Sequence, residues 1–329
     1  MNDASSPLAR YTSDRATGGP PLLSGLIAAS FTPMTASGDV DLAAIPDVTK
    51  FVLGQGVSGL FICGSTGESP SLTTSERLLV AEAYVGSIRD LQLPKRAPAV
   101  VQVGHNSLRE SSRIAAHAES IGADAIGVVP PSYFPPSSLD GLMDSLKEIA
   151  AAAPGTPLFY YHIPRLSGVS TRMIDLLERA TDELPSLVGI KFSSFEMDDL
   201  IRCVHFEGGR YNILFGSDEM LLAGLAMGAQ GAVGSTYNFM GPRFRKVIDA
   251  FEGGRMEEAQ RHQFEATRMV HTIVAAGGGG AIKAAMSILG SDCGPPRLPL
   301  ETVVPARLEE LRRELESMPI SEKNALERA

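Results

Sequence analysis

Short apolar runs alternate with segments of helical periodicity between Leu22 and Gly234. The runs are rich in small and branched residues and predict buried parallel strands at Gly25–Phe31, Val57–Cys63, Ala99–Val103, Ala125–Val129, Leu158–Tyr161, Val188–Phe192, Ile213–Phe215 and Gly231–Gly234. Between them, apolar residues at helical spacing predict helices at Ala43–Leu53, Thr74–Arg89, Leu108–Ile121, Leu139–Ala152, Thr171–Arg179, Asp198–His205 and Glu219–Met227. Eight strands alternating with helices favour a TIM (β/α)8 barrel, with a doubly wound open sheet as the alternative.

The alternation stops after Gly234, and the rest of the chain predicts helices alone. Their periodic segments are Phe244–Glu252, Met256–Ala275, Ala281–Leu289 and Val304–Glu316. We expect this C-terminal helical region, residues 241–320, to pack on a barrel formed by residues 21–240. Residues 1–20 are rich in Ser, Ala, Gly and Pro and lack the apolar core of a signal peptide, so they predict a disordered leader. Residues 321–329 predict a polar tail.

Composition and charge narrow the possible partners. The chain has 329 residues and a formal net charge of −9, which disfavours binding to nucleic acid or to anionic membranes. No apolar run reaches the roughly 18 residues of a membrane span, so we expect a cytoplasmic protein. Cys63, Cys203 and Cys293 are far apart and predict buried, reduced thiols. The six histidines show no metal-ligand spacing, and we expect neither a metal nor an organic cofactor.

Lys191 is the most informative residue, because it lies inside the apolar strand Val188–Phe192. Burying an ammonium group costs several kcal/mol, and lysine is therefore rare in such a position. A shielded amine is suited to condense with a ketone, and the resulting iminium accepts electrons as a carbon–carbon bond breaks. In barrels of this type the reactive groups lie at the carboxyl ends of the strands. The alternative interpretation is a lysine in a structural ion pair.

Other strand ends carry weaker signals. Gly64–Gly67 (Gly-Ser-Thr-Gly) offers two hydroxyls and backbone N–H groups in a turn suited to a carboxylate, and Glu68 is interpreted as a brace for this loop. Tyr161 ends the fifth strand and is a candidate proton relay or a packed aromatic. Gly277–Gly280 with Lys283 lacks the residue order of a phosphate-binding loop and is rejected as one.

Together these residues resemble the dihydrodipicolinate synthase/N-acetylneuraminate lyase family from about Gly25 to Arg297. The resemblance is carried by Gly-Leu-Phe-Ile-Cys-Gly-Ser-Thr-Gly-Glu-Ser, ending at Ser69, and by Tyr-His-Ile-Pro from Tyr161 with Gly-Ile-Lys ending at Lys191. It implies a TIM barrel with a C-terminal helical region and a homotetramer. It further implies the following roles: a Schiff-base lysine at Lys191, a proton-relay tyrosine at Tyr161, carboxylate binding by Ser65 and Thr66, and a place near the substrate or a subunit contact for Tyr133.

The residues after Tyr161 and two later segments indicate to which branch of the family the chain is more similar. Synthases of the family commonly place an arginine five residues after the tyrosine, where this chain has Leu166, with Arg165 one position earlier. An arginine displaced by one residue is not equivalent, because its fork must point at the carboxylate it binds. The segments Gly216–Glu219 and Gly234–Asn238 instead resemble the lyase branch. That resemblance predicts a site that binds the sugar tail through these residues: Ser193, Gly216, Asp218, Glu219 and Ser235.

The resemblance therefore implies reversible cleavage of N-acetylneuraminate to pyruvate and N-acetylmannosamine, with no cofactor. The expected partners are a small-molecule 2-oxo sugar acid and pyruvate. Three alternatives remain open: an aldolase or dehydratase of another 2-keto-3-deoxy sugar acid, a dihydrodipicolinate synthase, and a non-catalytic sugar-acid-binding protein.

Overall fold

Eight parallel strands close into a barrel in chain order, which confirms the predicted TIM fold. The structure is a computed structural model that describes residues 6–16, 19, 21–94 and 96–317. The strands are β1 Gly25–Ala29, β2 Gly59–Ile62, β3 Ala99–Gln102, β4 Ala125–Val128, β5 Leu158–His162, β6 Leu187–Phe192, β7 Asn212–Phe215 and β8 Gly231–Gly234. Nearly every strand residue is buried, which is why the strands are apolar throughout rather than alternating.

Most helices lie close to the segments that periodicity predicts. They are α1 Pro7–Ala16, α2 Ile45–Gly54, α3 Thr74–Asp90, α4 Leu108–Ser120, α5 Leu139–Ala151, α6 Pro164–Ser167, α7 Met173–Glu183, α8 Met197–His205, α9 Leu221–Ala226, α10 Tyr237–Glu252, α11 Met256–Ala275, α12 Gly278–Leu289 and α13 Pro305–Ser317. Side chains of Thr73, Ser107 and Ser138 accept hydrogen bonds at the starts of α3, α4 and α5. In the described part of the chain no single helix is long and apolar enough to span a membrane; α11 and α12 reach that measure only together, across a bend of 114°.

The predicted disordered leader is wrong where α1 forms. Leu8 and Tyr11 stand three residues apart, so they share one face of the helix, and both side chains are buried. The backbone N–H of Leu8 donates to the carbonyl oxygen of Gly155 at 3.0 Å, which ties the helix down. Because the segment is polar on average, its composition does not reveal the two apolar residues that pack against the rest of the chain. The rest of the leader lies outside the described residues except for Ser6 and Gly19, and the predicted tail at 321–329 lies wholly outside them.

The described residues form two compact units, of which the first comprises the described part of Met1–Gly25 with Pro98–Ser217 and Gly224–Ala232. Strands β3 to β8 pair in parallel within it. The register of β5 and β6 sets Tyr161 opposite Lys191. The sheet therefore brings the two predicted catalytic residues side by side.

The second unit comprises Leu26–Ala97, Asp218–Ala223 and the described part of Val233–Ala329. Strands β1 and β2 pair within it, and α10 packs against both α2 and α11. The first seven residues of α10, 237–243, precede the predicted start at Phe244. Its backbone departs from helical angles at Met240, and this kink leaves Pro242 in the first turn of the following segment, where the missing N–H costs little.

Candidate active site

Lys191 and Tyr161 form the centre of the site in the first unit. The Lys191 Nζ atom lies 3.8 Å from the centroid of the Tyr161 ring, and the two residues are only 4% and 5% exposed. An ammonium group over an aromatic face is attracted by the ring quadrupole. Strand alternation places the neighbouring Tyr160 and His162 on the opposite face of β5. The sheet thus presents one amine and one phenol on the same face.

Ser193 and Gly216 adjoin the carboxyl end of β6. The backbone N–H of Ser193 donates to His162 and that of Gly216 to Phe192, both at 2.8 Å. A Cβ atom at Gly216 would collide with the Ser193 hydroxyl, so the glycine makes room for that group. The Ser193 hydroxyl is buried and has no hydrogen-bond partner among the described residues. The structure therefore brings these two predicted residues together beside the strand that carries Lys191.

The predicted substrate contact Tyr133 lies on the surface of the chain. Its side chain is 78% exposed, and its ring packs edge-on against Phe134 with 4.9 Å between the centroids. Arg165 and Leu166 are also exposed, on the short helix α6 that follows Tyr161. The position of the synthase arginine thus holds an apolar side chain on a surface helix.

In the second unit, the loop Gly64–Gly67 follows β2, and we call it the hydroxyl loop. The Thr66 and Ser235 hydroxyls share a hydrogen bond of 2.6 Å, while Ser65 is exposed. The carbonyl oxygen of Gly67 accepts a hydrogen bond from the Thr32 hydroxyl at 2.7 Å. Thr66 and Ser235 were assigned to opposite ends of the substrate by sequence, and the structure places them in contact.

Asp218 is buried and holds the chain that follows β8. Its Oδ2 atom accepts hydrogen bonds from the Thr236 N–H at 2.8 Å and the Thr236 hydroxyl at 2.6 Å. A side chain at Gly234 would collide with the Asp218 carboxylate, which explains the glycine there. Glu219 is partly exposed. One oxygen of Asp218 is therefore committed to the protein, while Glu219 retains access to solvent.

Helix α11 supplies residues that sequence reasoning missed. The Gln263 side chain donates to the carbonyl oxygen of Asp218 at 3.2 Å and accepts from the N–H of Leu222 at 2.9 Å. The Thr267 hydroxyl donates to the carbonyl oxygen of Glu219 at 2.9 Å. These contacts fix the backbone of the short 3-10 helix Asp218–Met220. Because they span more than 40 residues of sequence and use ordinary polar side chains, no local pattern signals them.

Cys63 is buried directly before the hydroxyl loop and is unsuited to act as a nucleophile. Burial raises the pKa of its thiol to about 11, although Arg77 opposes that shift. All three cysteines are free and buried, as the sequence predicts. Across the described ranges, no three or more His, Cys, Asp or Glu side chains are grouped to hold a metal ion.

The fold and the paired amine and phenol define the class of protein: a (β/α)8 barrel with a buried lysine at the centre of its candidate site. Residues 22–318 match the model of the dihydrodipicolinate synthetase family. The chain belongs to this family.

Individual relatives point to one branch of the family. The chain is 41% identical to the N-acetylneuraminate lyase of Sus scrofa over 302 residues, which cover 91% of this chain and 93% of that protein. It is 42% identical to the N-acetylneuraminate lyase of Homo sapiens over 283 residues, covering 85% and 87% of the two chains. The solved structure of Proteus mirabilis N-acetylneuraminate lyase is similar with a TM-score of 0.86 and 35% identity, covering 91% of this chain and 99% of that one.

Proposed function

We propose that this chain is a Schiff-base aldolase that reversibly cleaves N-acetylneuraminate into pyruvate and N-acetylmannosamine. The observation that carries the proposal is the buried Lys191 amine, 3.8 Å from the centroid of the Tyr161 ring on the neighbouring strand. The names of the animal and bacterial relatives support the choice of substrate. The exposed, apolar Leu166 disfavours the synthase alternative, which needs a cation there to bind a second carboxylate.

The reaction begins when the neutral Lys191 amine attacks the C2 carbonyl of the open-chain sugar acid. Loss of water gives an iminium, which accepts the electron pair of the C3–C4 bond as that bond breaks. Tyr161, together with the substrate carboxylate, takes the proton from the C4 hydroxyl, so the departing half leaves as an aldehyde. The enamine that remains is protonated at C3, and water then hydrolyses the iminium to release pyruvate and restore the amine.

The remaining residues bind the two ends of the substrate in this proposal. Ser65 and Thr66 donate hydrogen bonds to its carboxylate, as hydroxyls at a glycine-flanked turn are suited to do. We assign the sugar tail to a second group of residues, whose carboxylate oxygens accept hydrogen bonds from sugar hydroxyls and whose hydroxyl and backbone groups accept or donate them. This group comprises Ser193, Gly216, Asp218, Glu219 and Ser235. The buried, unpartnered hydroxyl of Ser193 supports its assignment.

The test is pyruvate release from N-acetylneuraminate, measured with the purified protein and with Lys191→Met. The proposal expects turnover by the native chain and none by the variant. Turnover of an unacetylated 2-keto-3-deoxy sugar acid but not of N-acetylneuraminate would assign the protein to the sugar-acid alternative. Condensation of pyruvate with aspartate semialdehyde would assign it to the synthases. Tight binding of N-acetylneuraminate without turnover of any of these compounds would identify a sugar-acid-binding protein.

We also propose that the chain assembles as a homotetramer, with the exposed apolar side chains of the first unit at subunit contacts. Tyr133, Phe134, Leu166 and Phe195 are each at least 60% exposed, which is costly for large apolar groups in water. Sedimentation velocity tests this point: a tetramer is expected, and a monomer at micromolar concentration contradicts it. The cytoplasmic location stays a prediction of the sequence.

A further inference from the structure

Glu68 and Lys283 form a buried ion pair in the second unit, and we call this pair the brace. The Lys283 Nζ and Glu68 Oε1 atoms are 2.6 Å apart, and each side chain is only 2% exposed. Lys283 comes from α12 in the C-terminal helical region, 215 residues after Glu68. Removing two charges from water is unfavourable before their attraction is counted. Such a pair therefore needs further hydrogen bonds to be stable.

The further hydrogen bonds connect the brace to the hydroxyl loop and to Arg297. Lys283 donates a second hydrogen bond to the carbonyl oxygen of Thr32 at 2.9 Å. The hydroxyl of the same Thr32 donates to the carbonyl oxygen of Gly67, the last residue of the loop. Glu68 is the next residue in the chain, and its Oε2 atom accepts the N–H of Arg297 at 2.7 Å. The brace thus holds the loop at its C-terminal end through two separate connections.

The brace holds the backbone of Glu68 in an unfavourable conformation. Glu68 has φ of +56°, in the left-handed region that side chains with a Cβ rarely adopt. Such a conformation is strained and persists only where surrounding contacts enforce it. Burial lowers the pKa of Lys283 from its ordinary value even though the Glu68 carboxylate opposes the shift. The conformation at this position is therefore locally unfavourable, and it lies directly beside the residues assigned to the substrate carboxylate.

We propose that Lys283 is a positioning residue: through Glu68 and Thr32 it fixes the hydroxyl loop in the conformation that binds the carboxylate of the 2-oxo acid. This inference rests on the proposed function, because it assigns the purpose of the brace to the carboxylate contacts of Ser65 and Thr66. A brace with a general structural role would affect every property of the folded protein alike. A positioning role predicts a specific loss, confined to recognition of the carboxylate.

Borohydride trapping of two ketones separates these roles. Pyruvate carries the carboxylate, and hydroxyacetone is a ketone of similar size without it. The half-saturating concentration of each ketone is measured for the native chain, for Lys283→Met and for the double variant Glu68→Gln/Lys283→Met. The double variant leaves no uncompensated buried charge, which protects folding if the single variant fails to fold. Lys147→Met is the matched control, because Lys147 pairs with Glu183 at the same 2.6 Å on the surface.

For both brace variants we expect the half-saturating pyruvate concentration to rise about tenfold, the loss expected for one hydrogen bond to a charged group. The half-saturating hydroxyacetone concentration and the trapping rate at saturation should stay within about twofold of the native values. A twofold change is far smaller than the tenfold change expected for pyruvate. Lys147→Met should change neither. An unchanged pyruvate value in a folded brace variant overturns the inference, and so does an equal loss for both ketones. If the native chain itself traps no pyruvate, the proposed function fails instead.

Discussion

Tyr160 and Tyr161 are adjacent on β5, yet they face opposite sides of the strand. Tyr161 meets the Lys191 amine, whereas the Tyr160 hydroxyl is buried without a hydrogen-bond partner in the described residues. Burial without a partner favours the neutral phenol, and it raises the pKa of Tyr160 well above its ordinary value. Tyr160 is therefore a matched control for Tyr161, because it is the same residue type on the same strand but faces away from Lys191.

Replacing each tyrosine by phenylalanine tests the relay. Tyr161→Phe should lower kcat for cleavage by roughly 10²- to 10⁴-fold, because the C4 hydroxyl loses its general base. Tyr160→Phe should leave kcat unchanged and should keep or raise the free energy of unfolding, because it removes an unsatisfied buried hydroxyl. Steady-state kinetics and urea unfolding measure both. Equal losses of kcat in the two variants would contradict the role of Tyr161.

At the scale of single residues, the sequence reveals a functional candidate when its residue type differs from those of its neighbours. Lys191 is predictable because a charge interrupts an apolar strand, and Tyr161 because it ends one. The contact between Thr66 and Ser235 is not predictable, because the two lie 169 residues apart and neither is unusual in its own segment. Lys283 also interrupts an apolar stretch, and the same incongruity could have marked it. The sequence suggests that Glu68 braces the loop, but its pairing with Lys283 becomes evident only once the chain is folded.

At the scale of the elements, α7 shows how a helix can start without a local cap. The sequence predicts a helix from Thr171, yet the helix begins at Met173. Asp199, on α8, accepts the N–H groups of Met173 at 2.6 Å and of Ile174 at 3.3 Å. Met173 and Ile174 are buried as well, so their N–H groups would otherwise have no access to water. The helix start is therefore fixed by a residue that follows it in the sequence.

Asp199→Ala should lower the free energy of unfolding by about 2 kcal/mol, the upper range for loss of a helix cap with two orphaned donors. Its neighbour Asp198 is the matched control. Asp198 is exposed and pairs with Arg172 at 2.8 Å, so Asp198→Ala should change the free energy by less than about 1 kcal/mol. Urea unfolding of both variants provides the comparison. A similar loss of unfolding free energy in the two variants would show that the hydrogen bonds of Asp199 to the start of α7 do not contribute to stability.

The strands and most helices could be predicted because buried β/α units impose strong apolar periodicity. All eight strands occur where the apolar runs predict them. The errors arise where a weak local signal is overridden, as at α1, whose two apolar anchors are hidden in a polar segment. The start of α10 was misplaced for a different reason, since Pro242 suggests a break but occupies an early turn after a kink.

At the scale of the whole molecule, the C-terminal helical region supports the chain around the hydroxyl loop. Arg297 donates to both carboxylate oxygens of Glu76, at 2.8 and 2.9 Å, and also to the carbonyl oxygens of Gly38 and Ser71. These hydrogen bonds link residues more than 220 positions apart. The sequence predicts the C-terminal region as such but not these links, because they depend on the tertiary fold.

The Glu76–Arg297 pair makes stability depend on pH. The hydrogen bond from Arg297 lowers the pKa of Glu76 from its ordinary 4.5 to about 2. Because the folded pKa is depressed, the contribution is fully present above pH 4.5 and is lost as the pH falls toward 2. Glu76→Gln removes the charge and keeps a side chain that suits the capping box.

We expect this variant to be less stable than the native chain by about 1 kcal/mol at pH 6, allowing for the partial exposure of the pair. The difference should shrink as the pH falls below 4.5. Urea unfolding between pH 3 and pH 6 measures it. A difference that is constant across this range would mean that the charge of Glu76 does not contribute.

The central claim is that the Lys191 amine captures a ketone, and mass spectrometry of the borohydride-reduced protein tests it most directly. With pyruvate present, the account predicts one adduct per chain, located on the peptide that contains Lys191 and absent from Lys191→Met. No adduct at saturating pyruvate, or an adduct that persists in Lys191→Met, would contradict it.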